Sequence, residues 1–250
     1  GAMVESLDYY VGQVINYLET TEDPRSPGKM LSENTYIIFA SDNGGVKGYT
    51  DNTPLDLGKS SAKEGGTRVP MMIAGPGISA GVQSDVVVNG LDFYPTVLSL
   101  TGTQRPANKN LDGCDLAPLL LGDSKDPSLV KHADGSVRDT MMWHFPHSND
   151  LESTLIDGDY KLIRNYDHLN NDGIPELELF QLYQTENGKP VRVDIEEDHN
   201  LAADMPEKTA AMNGRLTEIL TEMKASYPYY SPTNKGLPHQ GLVCTILSHK

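Results

Sequence analysis

Cysteine is scarce in this chain, with only Cys114 and Cys244 among 250 residues. That excludes a disulfide scaffold, and neither residue sits in a zinc-ligand spacing. The redox compartment stays open. No run of about 18 apolar residues occurs, so no segment reads as a membrane span. Basic residues are outnumbered, 20 against 35 acidic, for a net charge of −15. Such a surface does not suit non-specific nucleic-acid binding, which depends on basic patches meeting phosphates. A local cluster of Lys and Arg can still override the global field and hold a small anion. No internal repeat is visible. The chain opens on Gly1-Ala2-Met3, and Gly1 reads as a cloning remnant. No signal peptide is present, though a trimmed chain would have lost one.

What is there is enough to build a core: hydrophobic residues make up 38% and charged residues 22%. Val4, Leu7, Val11, Val14, Ile15 and Leu18 recur at helical spacing, which predicts an amphipathic helix over 3–20. Tyr36 to Ala40 is a continuous apolar run, the pattern of a strand buried on both faces as in a parallel sheet. Val69 to Ala74 and Val86 to Val88 are further strand candidates. Residues 92–101 read as a helix, with Asp92 as N-cap and Gly102 as stop. This alternation indicates an α/β layer.

From about residue 138 the pattern changes to strand, turn, strand. The strand candidates are Thr140 to Phe145, Ser153 to Ile156, Tyr160 to Asn165 and Leu177 to Tyr183. Asp157-Gly158 and Asn171-Asp172-Gly173 supply turn signals. Residues 206–224 predict a helix with Pro206 in its first turn and Met212, Leu216, Ile219, Leu220 and Met223 on one face. The acidic run Asp194 to Asp198 reads as a solvated turn before that helix. Residues 110–137 read as a connection, and the last 24 residues show no clear period.

Two stretches could carry chemistry. Ser41-Asp42-Asn43-Gly44-Gly45 directly follows the first buried run. In an open α/β sheet, ligands gather at the carboxyl ends of strands. Asp42 and Asn43 offer hard oxygen ligands for Ca²⁺ or Mg²⁺, and the glycines allow close backbone approach. The alternative is an Asx-turn ending a strand. The second stretch, Gly58 to Pro70 (GKSSAKEGGTRVP), is a positive island with Lys59, Lys63 and Arg68. Those cations suit a sulfate or phosphate. The alternative is a solvated loop with a surface Glu64–Arg68 ion pair. His144 and His147 in WHFPH could line a substrate pocket and donate a proton or hydrogen bond. The alternative is incidental alternation along a strand.

Together these stretches resemble the sulfatase family, within the alkaline-phosphatase-like superfamily. The resemblance rests on a strand running into SDNG, then GK-x4-EGG-x-RVP about twenty residues later. It extends to GLDFYPTVLSLTG at 90–102, the LDG to LLLG segment at 111–122, WHFPH, DGDYKLI at 157–163 and EDHNLA at 197–202. The implied fold is α/β: the trailing part of a large mixed sheet over residues 1–125, then a small antiparallel four-stranded subdomain with one C-terminal helix over 126–250.

The resemblance also implies roles. Asp42 and Asn43 match two metal ligands, the metal usually being Ca²⁺, with Mg²⁺ as the alternative. Lys59 matches the lysine that contacts the sulfate and the leaving oxygen. Glu64, Gly65, Gly66 and Arg68 match a loop-shaping motif. Lys63 departs from the family pattern and could hold an anion or point to solvent. The family's nucleophile, a formylglycine made in C/S-x-P-x-R, has no counterpart here: Cys114 lies in CDLAP and Cys244 in CTILS. The expectation is the carboxyl-terminal half of a sulfuric-ester hydrolase, acting on sulfate esters such as sulfated carbohydrates. Alone it would be inactive, with the formylglycine and two metal-site aspartates in an upstream half. Expected partners are the substrate and that missing half or a second copy, with no nucleic acid, and export to the periplasm or medium is expected. Two alternatives stay open: a phosphoesterase or phosphonate hydrolase of the same superfamily, and a non-catalytic module that binds sulfated glycans or oligomerises.

Overall fold

The period-2 patterning of residues 140–181 builds the best-covered part of the molecule. In the computed structural model, which describes residues 1–122, 124–146, 151–169, 173–230 and 242–245, four strands form an antiparallel meander. They are β3 (Thr140–Phe145), β4 (Glu152–Asp157), β5 (Tyr160–Asn165) and β6 (Leu177–Gln181), in the order β3-β4-β5-β6. Asp157 pairs with Tyr160, so Gly158 and Asp159 form the two-residue turn of the β4–β5 hairpin, with Gly158 at φ +58°. Alternation then sends side chains to two different cores. Leu155, Leu162 and Leu179 pack under Met212, Leu216 and Leu220 of the helix α5 (Pro206–Glu222). Met141, Ile156, Ile163 and Phe180 pack on the opposite face with Leu182 and Tyr183. Both faces of the central strands are thus covered, which explains why β4 is buried along most of its length.

The expected helix over 206–224 forms as α5, with Pro206 in its first turn. Met223 does not join the buried face; it is 60% exposed just past the helix end. The run expected as one strand over Leu177 to Tyr183 divides after Gln181, and Tyr183–Glu186 (β7) turns back on Lys189–Arg192 (β8). In the final stretch, where no period is legible, β9 (Tyr227–Tyr230) pairs antiparallel with β10 (Leu242–Thr245). Asn171 and Asp172 of the expected turn lie outside the described residues.

The first part of the chain departs further from expectation. Helix α1 (Ala2–Thr20) forms but buries no residue, and Val4, Leu7 and Val14 remain exposed. Strand β1 (Ile37–Ala40) pairs antiparallel with β2 (Met71–Ala74), and both are only partly covered. The expectation of a parallel strand buried on both faces therefore fails within this chain. A continuous apolar run records how much cover a strand can use; it carries no information about the direction of its neighbour. Val86 to Val88 is not a strand. Val86 instead anchors a small third core with Cys114, Leu116, Leu119 and Val130. That core occupies the segment expected as a mere connection, which contains the helix α4 (Ala117–Leu121). Helix α3 (Phe93–Leu100) forms and stops at Gly102 with φ +66°. Asp92 precedes it but makes no side-chain cap. Its carboxylate accepts from the Cys114 amide at 2.8 Å and from the Arg138 guanidinium at 2.9 Å. A buried carboxylate gains more from an arginine fork than from one helix amide.

A buried ionic cluster joins the two parts of the chain. Glu64 starts the short helix α2 (Glu64–Thr67) and is 4% exposed. Its carboxylate accepts from Lys161 Nζ of β5 at 2.9 Å and from Arg68 Nε at 2.7 Å. Lys161 is fully buried, and its ammonium also lies 2.9 Å from Glu197 Oε1, which makes an ion-pair contact with no hydrogen bond. The acidic run 194–198 is therefore not a solvated turn, because Asp194 and Glu197 are both buried. Burial pushes the Glu64 carboxyl up, but Lys161 and Arg68 together outweigh it and hold it below its ordinary value. For Glu197 burial wins, and its carboxyl is raised despite Lys161.

Two measurements follow from this packing. Leu216→Ala is expected to cost about 2–5 kcal/mol, the usual range for truncating a fully buried leucine, whereas Met223→Ala should change stability by less than about 0.5 kcal/mol. Urea midpoints compare them. The ionic cluster predicts two opposed pH limbs. A carboxyl lowered in the fold contributes stability above its unfolded pKa of about 4.3 and loses it as pH falls through the folded value. A raised carboxyl contributes below that unfolded value and loses the contribution as pH rises through its folded value. Glu64→Gln should flatten the acid limb below about pH 4.3, and Glu197→Gln the limb above it. Urea midpoints at a series of pH values would expose the error if both variants kept the parent profile.

Candidate functional site

Two glycine-bearing loops interlock at the carboxyl end of β1. The Gly44 amide donates to the Gly66 carbonyl at 2.9 Å, and the Lys59 amide donates to the Gly45 carbonyl at 3.0 Å. The Asn52 side chain bridges the Gly45 and Leu57 carbonyls, each at 2.9 Å. A Cβ at Gly44 would run into the Gly65 carbonyl, and one at Gly66 would run into those of Ser61 and Gly58. Gly44 thus leaves room for the Gly65 backbone, and Gly66 for the backbone of its own loop, with no space for a side chain at either. The loop between them is strained. Leu57 and Ser60 have φ of 56° and 77°, a region that non-glycine residues rarely adopt. Strain of that kind persists only where the surroundings fix it.

This interlock places Asp42, Asn43 and Lys59 on the wall of one cleft of about 1510 Å³. Asp42 and Lys59 are exposed and Asn43 is half-buried. Among the described residues, neither the Asp42 carboxylate nor the Lys59 ammonium has an ion-pair or hydrogen-bond partner. Asp42 and Asn43 together offer hard oxygen donors, a set that fits Ca²⁺ or Mg²⁺ and not zinc. They are too few to complete a coordination shell, and the described residues hold no group of three or more His, Cys, Asp or Glu suited to a metal.

The other cations of the second motif are already used. Lys63 does not line the cleft. It is 8% exposed, with its ammonium 3.1 Å from Glu178 Oε1 of β6 and 3.9 Å from the centre of the Phe180 ring. Arg68 reaches Glu64 and the Tyr183 hydroxyl. The Glu64–Arg68 pair is thus no surface pair but part of the buried cluster. The positive island reduces to a single exposed ammonium, that of Lys59.

His144 borders the cleft, yet its ring belongs to the α5 side of the sheet. In β3 it pairs with Ser153, and its Nδ1 is 2.6 Å from the Ser153 hydroxyl while Nε2 is 2.6 Å from the Ser226 carbonyl. Both nitrogens are engaged in a chain that continues to the Tyr166 hydroxyl, 2.7 Å from Ser153. His147 lies outside the described residues. The residues that strand alternation does turn toward the cleft are Trp143 and Phe145, which share the face of Met141. The signal was present in WHFPH, since the aromatic and histidine positions alternate. Cys114 is fully buried, 3.5 Å from His132 Nδ1, and burial pushes its thiol up, so it is a packing residue and no nucleophile.

The sequence profile of the family described as "Sulfatase" matches residues 1–103. The chain is 31% identical over 255 residues to a sulfatase of Formosa agariphila, covering 95% of this chain and 42% of that protein. It is 29% identical to human steryl-sulfatase, covering 96% of this chain and 41% of that one. The chain therefore spans well under half the length of these curated relatives. Among solved structures, a Bacteroides thetaiotaomicron protein from a study of glycosaminoglycan metabolism superposes with TM-score 0.61 at 22% identity, covering 86% of this chain and 43% of its own. A structure of Ps i-CgsB with a neocarrahexaose bound gives TM-score 0.52 at 27% identity, covering 78% and 36%. The interlocked motifs, the mixed α/β fold and these relatives agree: over nearly its whole length the chain is similar to proteins of the sulfatase family.

Proposed function

We propose that this chain carries the sulfate-recognising part of a sulfuric-ester hydrolase. One observation carries the reading: the glycine interlock sets Asp42, Asn43 and Lys59 on one cleft with their charged groups unspent, while the other cations of the second motif, Lys63 and Arg68, are ion-paired. Hydrolysis of a sulfate ester adds water across the S–O bond and leaves negative charge on the sulfuryl and leaving oxygens. Lys59 donates charge-assisted hydrogen bonds to those oxygens as their charge grows. Asp42 and Asn43 supply oxygen ligands to a hard cation, which when bound polarises the sulfuryl oxygens. The apolar walls contributed by Trp143 and Phe145 receive the organic part of the ester. The nucleophile motif of the family is not among the 250 residues, so turnover in this reading requires a segment that supplies it.

Assay with an aryl sulfate tests the reading. The chain alone should show no turnover, and a polypeptide bearing C/S-x-P-x-R added in trans should restore it. In the restored enzyme Lys59→Ala should lower kcat by about 10²–10³-fold, the usual loss for one preorganised donor to a developing charge. Cleavage of an aryl phosphate in its place would favour a phosphoesterase of the same superfamily. Specific binding of a sulfated glycan without turnover in either case would favour a binding module. The metal reading has its own check. Ca²⁺ takes about 6–8 oxygen ligands, so calorimetry on the chain alone should find affinity weaker than roughly micromolar, and tighter binding at Asp42 would refute the shared site.

A further inference from the structure

Three residues shortly after Lys59, Ala62 to Glu64, are held from about a hundred positions further along the chain, by the antiparallel sheet and the loop that carries Glu197. The Ala62 amide donates to Glu152 Oε1 of β4. The Lys63 ammonium reaches Glu178 of β6. The Glu64 amide donates to Glu197 Oε2 at 2.6 Å, and the Glu64 carboxylate accepts from Lys161 of β5 at 2.9 Å. Glu152, Lys161 and Glu178 project from the same face of the sheet, as the pairing of Ile156 with Lys161 and of Ile163 with Glu178 requires. Three consecutive residues thus plug into a socket formed by three strands and one loop. The socket is centred on Lys161, whose fully buried ammonium lies 2.9 Å from the carboxylates of both Glu64 and Glu197, which belong to separate segments. On the other side of this plug, the left-handed residues Leu57 and Ser60 bracket Lys59 and would relax to ordinary dihedrals if released.

We propose that Lys161 is a positioning residue for Lys59: by clamping Glu64 and Glu197 it holds the strained loop in the one arrangement that aims the Lys59 ammonium into the cleft. Its use in catalysis rests on the sulfate-recognition reading above, but the mechanical claim does not. Removing the ammonium leaves two buried carboxylates without their shared partner, and the loop can then slacken while both faces of the sheet stay packed.

Amide hydrogen exchange on the 250-residue chain tests this, with the Gly44 and Lys59 amides as reporters because their acceptors lie across the interlock. Lys161→Met should speed exchange at both by roughly tenfold or more while amides of β4 and β5 keep their protection, the mark of local and not global opening. If Lys161→Met does not fold, Glu197→Gln decides on the same two amides, since it weakens the clamp while keeping the shape. Unchanged exchange at Gly44 and Lys59 in a folded variant overturns the proposal. A titration with inorganic sulfate, followed at the Lys59 amide, separates this inference from the one it rests on. Weaker sulfate response in the variant than in the parent chain supports positioning, and an equal response contradicts it. If the parent chain shows no response, the sulfate reading falls and the exchange data alone decide the role of Lys161.

Discussion

A single buried ammonium, that of Lys161, sits between two carboxylates from distant parts of the chain. Bringing such charges out of water costs several kcal/mol each, and mutual attraction offsets that only where geometry is close and the remaining lone pairs are satisfied. Here both conditions are nearly met. Glu64 has Lys161 and Arg68, Glu197 has Lys161 and the Glu64 amide, and only Glu197 Oε1 lacks a hydrogen bond. Apolar residues of the same volume could pack this space as well or better. They could not choose one register of the two segments, because apolar contact is non-directional. The cluster therefore has more to do with where α2 sits than with how tightly the molecule folds.

That placement uses the division of labour between the two faces of the sheet. One face, through Leu155, Leu162 and Leu179, takes α5 and closes a purely apolar core. The other mixes apolar and charged positions along the same strands, with Ile156, Ile163 and Phe180 beside Glu152, Lys161 and Glu178. The apolar members exclude water, which strengthens the charged contacts beside them. The charged members in turn pin the loop that ends at the cleft. His144 falls on the α5 face by the same alternation that turns Trp143 toward the cleft.

How much of this was legible in the sequence depends on the range of the interaction. Local signals held. The β4–β5 hairpin follows from Asp157-Gly158, and α5 follows from its apolar stripe and Pro206. The SDNGG and GK-to-VP motifs were legible as a pair, and the structure adds the reason for their glycines, since Gly44 makes room for the Gly65 backbone while Gly65 and Gly66 make room for the backbone of residues 56–61. Long-range pairings were not legible. Glu197 sits in an acidic run that composition assigns to solvent, and its partner Lys161 lies 36 residues earlier in a strand, with nothing local to join them. Asp92 precedes a helix and so looks like a cap, while the arginine that claims it lies 46 residues on. The direction of β1 was also beyond reach, because an apolar run fits either neighbour.

The charge balance of the site follows from these pairings. A net charge of −15 repels small anions at long range. The second motif brings three cations to the cleft region, but Glu178 takes Lys63 and Glu64 takes Arg68, each within about a hydrogen-bond length. What remains on the cleft wall from these two motifs is one lysine, one aspartate and one asparagine, none of them compensated among the described residues. Neutralising the neighbours keeps the loop from repelling itself and keeps an incoming anion from settling at Lys63 or Arg68. Concentrating the attraction on one ammonium gives up some total field and gains direction. In the sulfate-ester reading proposed above, where charge develops on particular oxygens, direction is the more useful quantity, because only stabilisation aimed at those atoms lowers the barrier.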